Sequence, residues 1–308
     1  MKTTVIIGTY NNEAHIDRTV RSITGQTARD WNCIIVDNGS TDGTCERTEQ
    51  IVKGDPRFRL FRKKNEGPGA GRNFGHRQIC EPCTYVHFLD GDDVLHRDFI
   101  KVMTAYLEDH PRVGLLGCQY STIDENGRFV GPETRSRYAP GFLGFPRRLR
   151  PRERNTPFEA FFSATGQGPF AVFRNEIFKK TTGYEEGFWS HEDSDIFCQM
   201  ALLSEVHYLP NRLYFKRVHS SNLTNSPKAD YGKFRRKWDV MKTSCAFGDK
   251  RIANALAYYY GKHVPLRNFK ISLLALREFL KEPGLRRLQW SMTCLGKGII
   301  GLLFARRP

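Results

Sequence analysis

Residues 85–93 constrain the fold of this chain more than any other segment of its sequence. Residues 84–89 are mostly β-branched or aromatic and apolar at nearly every position, which is typical of a strand buried on both faces. The strand leads directly into three carboxylates, Asp90, Asp92 and Asp93. Because unpaired carboxylates cost several kcal/mol to bury, this pattern indicates an ion or a polar ligand at the strand end.

The chemistry of this acidic cluster favours a hard cation. Oxygen ligands suit Mg²⁺ or Mn²⁺, and Mg²⁺ sites commonly combine one or two carboxylates with substrate phosphates. Gly91 allows the backbone to turn tightly between the acids. The alternative is an ordinary turn after a strand, since Asp and Gly are both frequent turn residues. The rest of the chain has to decide between the two interpretations.

An alternation of strands and helices predicts an α/β fold with a parallel sheet. Strands are predicted at residues 3–8, 33–37, 58–61, 84–89, 113–120 and 213–218, with a short one after 166–170, and helices at 16–23, 74–80, 96–109 and 196–203. We expect Asn11 or Asn12 to cap the first helix. In such sheets ligands bind beyond the carboxyl ends of the strands, where Thr9, Asp37 and Asp90 stand. We therefore expect these three residues to converge on one site.

The basic charge is concentrated near the C-terminal end of the 308-residue chain. The formal net charge is +15, of which residues 1–227 contribute +2 and residues 228–308 contribute +13. This asymmetry is typical of contact with nucleic acid or with an anionic membrane surface. We predict a first domain at 1–225 and a basic helical region at 226–308.

The last residues, 286–308, combine an apolar run with flanking arginines. The run is too short and interrupted to span a bilayer, which takes about 20 apolar residues. It suits interfacial binding to an anionic membrane, and it equally suits a helix that packs in a core. The chain opens without an export signal, so we expect its eight cysteines to be reduced and the protein to be cytoplasmic and peripheral at the cytoplasmic face of the membrane.

Short polar and glycine-rich motifs follow one another along residues 1–225. They are Gly-Thr-Tyr-Asn-Asn (8–12), Val-Asp-Asn-Gly-Ser-Thr-Asp-Gly (36–43), Gly-Ala-Gly-Arg-Asn (69–73), Asp-Gly-Asp-Asp (90–93), Phe-Arg (173–174), Gly-Tyr-Glu-Glu-Gly (183–187), His-Glu-Asp (191–193) and Arg-Val-His (217–219). This combination resembles the large inverting family 2 of glycosyltransferases, although Gly8 stands where that family usually has proline. The resemblance implies a GT-A fold, a Rossmann-like, mostly parallel sheet flanked by helices, with the basic helical region as a C-terminal extension.

Several residues at the strand ends have the chemistry to hold a nucleotide. Tyr10 can stack on a base, and Asp37 can accept a hydrogen bond from a base N–H such as the imide of uracil. The alternative for Asp37 is that it caps its own loop through Ser40 and Thr41. The residues that we assign to donor binding are Thr9, Tyr10, Asn11, Glu13, Asp37, Arg72, Asp90 and Gly91.

The resemblance also implies roles around the acidic cluster, which carries the family's DXD motif. It places Asp90 on the ribose and Asp92 on a metal ion, Mn²⁺ or Mg²⁺, that binds the donor diphosphate. Arg72 can pair with the diphosphate or with Asp90. In this family, a histidine late in the domain, after an Arg-x motif, often contacts the metal or the diphosphate. His219 stands at that position, so we assign Asp92 and His219 to the metal.

The catalytic base is expected at the start of the helix near residue 196. Asp193 matches the general base of the family, and Glu192 is the competing candidate. An inverting transfer needs one carboxylate beside the acceptor hydroxyl, opposite the leaving group. The plainer interpretation of both acids is that they are favourable partners of a helix dipole.

Together these features predict a metal-dependent glycosyltransferase that uses a UDP-sugar. Its expected acceptor is a hydroxyl of a glycan or a lipid-linked glycan in cell-surface polysaccharide assembly, with no nucleic acid partner. Three alternatives are a sugar-1-phosphate nucleotidyltransferase, a basic nucleic-acid-binding protein and an inactive lectin-like module. The first would want a Gly-x-Gly-Thr-Arg type loop, which Gly8-Thr-Tyr-Asn is not, and the second is disfavoured because the basic excess lies outside the acid-bearing sheet.

Overall fold

A computed structural model of the chain describes residues 3–131, 170–186, 192–220 and 222. In chain order its elements are β1 (Thr3–Thr9), α1 (Ile16–Thr24), β2 (Trp31–Asp37), α2 (Thr44–Val52), β3 (Phe58–Arg62), α3 (Pro68–Arg77), β4 (Tyr85–Asp90), β5 (Val94–Leu95), α4 (Phe99–Asp109), β6 (Val113–Ile123), β7 (Phe129–Gly131), β8 (Ala171–Arg174), α5 (Asn175–Phe178), α6 (Glu192–Leu203) and β9 (Glu205–Arg217). The alternation of strands and helices predicted from the sequence is confirmed in the first half of the chain.

These strands form one mixed sheet in the order β3-β2-β1-β4-β8-β6-β9-β5, with β7 paired to β6. The first four strands are parallel, as predicted. Strand β8 runs antiparallel between β4 and β6, and β5 runs antiparallel to β9. The sheet is therefore less uniformly parallel than the sequence pattern indicated.

The register of the parallel strands brings the predicted site residues to one edge. Thr9 lies opposite Asp37 in the β1–β2 pair, and Gly8 lies opposite Asp90 in the β1–β4 pair. The carboxyl ends of β1, β2 and β4 thus meet within one residue of register. The predicted convergence of Thr9, Asp37 and Asp90 at this edge is confirmed.

Both faces of the sheet are buried, which explains the continuous apolar runs of β1, β2 and β4. Alternate side chains of one strand enter opposite cores, so Val5 packs in one and Ile6 in the other. The first core includes Ile16 of α1 and Phe99 of α4. The second core includes Phe197 of α6.

The predicted cap of α1 and the predicted start of α3 are wrong. Helix α1 begins at Ile16 after His15, and no side chain caps it; instead the backbone carbonyl of Asn12 accepts hydrogen bonds from the amides of His15 and Ile16. Helix α3 begins at Pro68, well before residue 74, because proline suits the first turn of a helix. Its glycines mislead sequence reading since they serve close packing: a Cβ on Gly75 would lie 2.5 Å from Ile6.

Strands β6 and β9 are longer than predicted, and two short strands were not predicted. Strand β9 begins at Glu205, eight residues before the predicted start at 213, and β6 extends beyond 120 to Ile123. The two-residue β5 and three-residue β7 were not predicted, because so few residues carry no periodic signal.

Buried His87 makes the stability of this fold sensitive to acid. Its ring lies 4.5 Å from that of Phe99, and Nδ1 lies 2.9 Å from the carbonyl oxygen of Ala171, to which its N–H donates. Burial lowers the pKa of His87 from 6.5 to about 4, so the folded state favours the neutral ring. The contribution of neutral His87 to folding stability is fully present above its unfolded pKa of 6.5, and it is lost as the pH falls towards 4.

Between pH 6.5 and about 4, we expect protonation of His87 to lower the free energy of unfolding by up to about 3 kcal/mol. Urea denaturation at several pH values should show a shallower acid loss in His87→Gln, which can still donate to Ala171, than in the wild type. His96→Gln is the matched control, because His96 is part-exposed. Equal pH slopes for His87→Gln and the wild type would contradict this assignment.

Some predictions fall outside the described residues. These are the basic region at 226–308, its membrane-docking segment at 286–308 and therefore the domain boundary near 225; all three stay predictions. Within the described part of the chain, no helix is long and apolar enough to cross a bilayer.

Candidate active site

The three acids after β4 come together as a cluster. Among the described residues, Asp90, Asp92 and Asp93 can each present an oxygen such that the three oxygens lie within 4.8 Å of one another. Asp93 is buried, whereas the side chains of Asp90 and Asp92 keep 35% and 17% of their surface exposed. Asp90 and Asp92 are therefore the members of the cluster that a ligand can reach.

Asp93 has a structural role that the sequence did not reveal. Its Oδ2 accepts a 2.6 Å hydrogen bond from the hydroxyl of Tyr214, and its Oδ1 accepts a 2.7 Å hydrogen bond from the backbone amide of Arg217. Burial, followed by the neighbouring charges of Asp92 and Asp90, raises the pKa of Asp93 well above its ordinary value. Asp93 thus attaches β9 to the end of β4, and it does not need a metal to satisfy it.

Asp92 meets two side chains that follow β9. Its Oδ2 lies 2.9 Å from Nε2 of His219 and 3.3 Å from Nδ2 of Asn222, which donates to it. His15 stacks at a tilt on His219, with ring centroids 4.9 Å apart. The structure therefore brings the two predicted metal residues, Asp92 and His219, into direct contact.

Arg217 links the turn that carries Asp92 to residues 124 and 125. It is completely buried, and its guanidinium donates hydrogen bonds to the carbonyl oxygens of Asp92, Asp124 and Glu125 at 2.8–3.0 Å. An arginine that satisfies three backbone carbonyls fixes the turn on which Asp92 stands. The Arg-x-His motif at 217–219 thus consists of a buried clamp followed by the histidine that reaches Asp92.

Arg72 of α3 connects the acidic cluster to α6. Its Nη2 lies 2.7 Å from Oδ1 of Asp90, and its Nη1 lies 2.5 Å from Oε1 of Glu192. Burial alone would lower the pKa of Arg72, but the charges of Asp90 and Glu192 raise it well above its ordinary value. Of the two predicted partners of Arg72, the structure shows Asp90, and it adds Glu192.

The loop after β1 is bonded to the loop after β2. Asn11 adopts a left-handed conformation with φ of 52°, and its Oδ1 accepts a 2.9 Å hydrogen bond from the amide of Thr41. Oε2 of Glu13 accepts a 3.1 Å hydrogen bond from the amide of Gly43. Asn11 and Glu13 therefore connect the two loops, while the neighbouring side chain of Tyr10 is 42% exposed.

Asp37 uses one carboxylate oxygen to cap its own loop and leaves the other without a hydrogen bond to any described residue. Its Oδ1 accepts hydrogen bonds from the amide and hydroxyl of Ser40, so it does cap its loop, although the amide of Thr41 bonds to Asn11 instead. Its Oδ2 is buried without a hydrogen bond in the described structure, with Nε of Arg62 at 3.3 Å. A buried acceptor oxygen without a hydrogen bond is costly unless a ligand donor completes it.

Helix α6 carries the two candidate bases in its first turn. Glu192 is buried and paired with Arg72, whereas Asp193 is only half-buried. Tyr184 lies between α3 and α6, with the Arg72 guanidinium 5.2 Å from its ring centre. Burial chiefly raises the pKa of Tyr184 above its ordinary value, although the charge of Arg72 opposes the rise. The charges of Asp193 and Glu192 add to it.

The residues at this site fit a divalent cation. Asp90 and Asp92 offer carboxylate oxygens, and His219 adds an imidazole nitrogen beside Asp92. Such oxygens suit Mg²⁺ and Mn²⁺, and imidazole suits first-row transition metals. A residual acidic charge also remains, since one guanidinium is shared by two carboxylates, Asp90 and Glu192.

Sequence reading missed three residues of the site. No role was predicted for Asn222 or His15, and Tyr184 stands in a motif without an assigned role. A polar residue three positions after His219 was the available hint for Asn222, whose side chain lies 3.1 Å from that imidazole. Tyr184 and His15 are recognisable only by their neighbours in space.

The chain is similar in sequence to known glycosyltransferases. The family described as "Glycosyl transferase family 2" matches residues 4–182. An uncharacterized glycosyltransferase of Rickettsia felis is 36% identical over 129 residues, which are 42% of this chain and 21% of that protein. The chondroitin synthase of Escherichia coli is 27% identical over 232 residues, 74% of this chain and 30% of that enzyme. The chain thus spans about a fifth to a third of the length of these curated relatives.

Solved structures show the same fold. S. aureus TarS in complex with UDP-GlcNAc superposes with a TM-score of 0.66 at 20% identity, covering 98% of this chain and 81% of that one. The mannosyltransferase PcManGT from Pyrobaculum calidifontis, in complex with GDP-Man and Mn²⁺, gives a TM-score of 0.59 at 19% identity, covering 99% and 88%. The predictions of a GT-A fold and of a glycosyltransferase are confirmed. Because the family match covers more than half of the chain, this protein belongs to glycosyl transferase family 2.

Proposed function

We propose that this chain is a divalent-metal-dependent, inverting glycosyltransferase that moves a sugar from a UDP-sugar to a hydroxyl of a glycan or lipid-linked acceptor. One observation carries the proposal. The reachable acids Asp90 and Asp92 and the half-buried Asp193 belong to one connected network, because Arg72 joins Asp90 to Glu192, the neighbour of Asp193. This arrangement supports a donor site and a base that lie side by side at the carboxyl edge of the sheet.

The nucleotide would lie across the ends of β1 and β2. Tyr10 offers an exposed ring for stacking, and Oδ2 of Asp37 offers a buried acceptor for the imide N–H of uracil. Guanine presents a comparable N–H, and the relatives of known structure include one bound to UDP-GlcNAc and one bound to GDP-Man. Asp37 therefore supports a base with an N–H donor, and uracil is our choice.

The transfer itself is a single displacement. Asp193 takes the proton of the acceptor hydroxyl, the hydroxyl oxygen attacks the anomeric carbon, and the bond from that carbon to the diphosphate breaks. Asp92 and His219 would hold a divalent cation, which when bound would neutralise the departing diphosphate, and Asp90 would contact the ribose. Attack opposite the leaving group inverts the anomeric centre, so one carboxylate is sufficient.

A donor screen tests this proposal. The full chain is incubated with UDP-, GDP- and TDP-sugars, and nucleotide release is measured with and without Mn²⁺. We expect release of a nucleoside diphosphate from UDP-sugars that depends on the metal. Formation of UTP from a UDP-sugar and pyrophosphate would instead identify a nucleotidyltransferase, and metal-independent release would contradict the role of the acidic cluster.

The cellular location that we propose follows from the glycan or lipid-linked acceptor. An enzyme that elongates surface polysaccharide from cytoplasmic nucleotide-sugars works at the cytoplasmic face of the membrane. The basic region at 226–308, with its net charge of +13 over 228–308, suits attraction to anionic lipid.

A further inference from the structure

Arg72 occupies an unusual position for a residue assigned to the donor. Its side chain is 9% exposed, and its two terminal nitrogens pair with two different carboxylates, Asp90 at 2.7 Å and Glu192 at 2.5 Å. These acids are 18 and 120 residues away in the sequence. One guanidinium therefore joins the DXD turn to the first turn of α6.

Close packing of α3 holds Arg72 in that position. A Cβ on Gly69 would lie 2.7 Å from the carbonyl oxygen of Glu185, and one on Gly71 would lie 2.5 Å from the side chain of Asn38. Helix α3 thus rests directly on two neighbouring segments, which only glycine permits. The base of the Arg72 side chain has little room to move.

The next residue, Asn73, fixes the segment that precedes α6. Its Oδ1 accepts a 2.9 Å hydrogen bond from the amide of Tyr184, and its Nδ2 donates a 2.7 Å hydrogen bond to the carbonyl oxygen of the same residue. The ring of Tyr184 in turn lies beneath the Arg72 guanidinium. Two consecutive residues of α3 therefore hold both the approach to α6 and its first turn.

Both terminal nitrogens of Arg72 already pair with carboxylates, so its guanidinium is poorly suited to bind the diphosphate. From this geometry we propose that Arg72 and Glu192 are a positioning pair: Arg72 fixes the start of α6, and thereby Asp193, relative to Asp90 on the donor side. Asp90 is the more exposed end, at 35% against 11% for Glu192. A donor that contacts Asp90 therefore meets a base whose position is already set.

The planar guanidinium is what makes such a pair stiff. Its fork presents two nitrogens in a fixed geometry, whereas the single ammonium of lysine cannot hold two separated carboxylates in the same way. Misplacement of a catalytic group by about 1 Å can cost about 10²-fold in rate. The expected signature of this pair is thus a loss of turnover with retained donor affinity.

This inference rests on the proposed function, and its test combines binding with turnover. Binding of UDP with Mn²⁺ is measured by calorimetry, and kcat and KM are measured with the donor found in the screen. We expect Glu192→Ala and Arg72→Lys each to lower kcat by about 10²-fold while the calorimetric affinity stays near that of the wild type. Glu192→Gln should lose much less, because its amide oxygen still accepts from Nη1 of Arg72.

The double variant Arg72→Lys/Glu192→Ala should be no worse than either single variant, since both remove the same link. Glu66→Gln is the matched control, because Glu66 is an exposed carboxylate just before α3 that pairs with Lys63. Thermal melting of every variant shows whether it is folded.

Three results would overturn the proposal. Loss of UDP affinity in Arg72→Lys alone would make Arg72 a diphosphate ligand, and equal losses in Glu192→Gln and Glu192→Ala would make Glu192 the base. Additive losses in the double variant would remove the link between the two residues. Failure of the proposed function looks different, because the wild type itself would then release no nucleotide from any donor.

Discussion

Replacing Asp193 by Asn is expected to lower turnover by roughly 10²–10⁴-fold, the usual range for the loss of a general base. Asparagine keeps the size and shape of the side chain but cannot accept the proton of the acceptor hydroxyl. Asp193 stands in the first turn of α6, half-buried, beside Glu192, which is buried and paired with Arg72. An acid whose oxygen already pairs with a guanidinium is a poor proton acceptor, which argues against Glu192 as the base.

Nucleotide release under single-turnover conditions measures this effect, and calorimetry with UDP and Mn²⁺ should show unchanged binding. Asp109→Asn, at the exposed end of α4, is the control for the removal of one negative charge. A severe loss in Glu192→Gln together with a mild loss in Asp193→Asn would mean that the base is Glu192.

Replacing Asp92 by Asn is expected to abolish the metal-dependent part of UDP binding. The carboxylate of Asp92 is the reachable acid that also contacts His219 and Asn222, so it is the best placed to bring a cation and a diphosphate together. An amide oxygen is neutral and a weaker ligand for a hard cation. The UDP affinity of Asp92→Asn should be the same with and without Mn²⁺.

Calorimetric titration of UDP at fixed Mn²⁺ measures the affinity, and electron paramagnetic resonance of Mn²⁺ reports the bound metal directly. Asp17→Asn removes an equal charge from the surface of α1, where it breaks only an exposed ion pair with Arg21. Metal-dependent UDP binding that survives in Asp92→Asn would place the cation elsewhere.

Local patterns of residues determine much of this fold. The apolar runs of β1, β2 and β4 identify strands buried on both faces, and the polar residues after them mark the sheet edge where Thr9, Asp37 and Asp90 meet. These features can be predicted because strand burial and strand ends depend on neighbouring residues. The short β5 and β7 were missed for the same reason, as two or three residues form no pattern.

The amino-acid sequence by itself thus determined the α/β class, the acidic motif and the candidate base, whereas only the tertiary structure decided which acids are already paired. Asp93 meets Tyr214 across 121 residues, and Arg72 meets Glu192 across 120. Those contacts depend on strand order, including the antiparallel insertion of β8 between β4 and β6. Periodicity in the sequence indicates which face of an element is buried, but the long-range topology sets the partner across the sheet. That topology makes Asp93 a buried structural residue and leaves Asp92 within reach of a ligand.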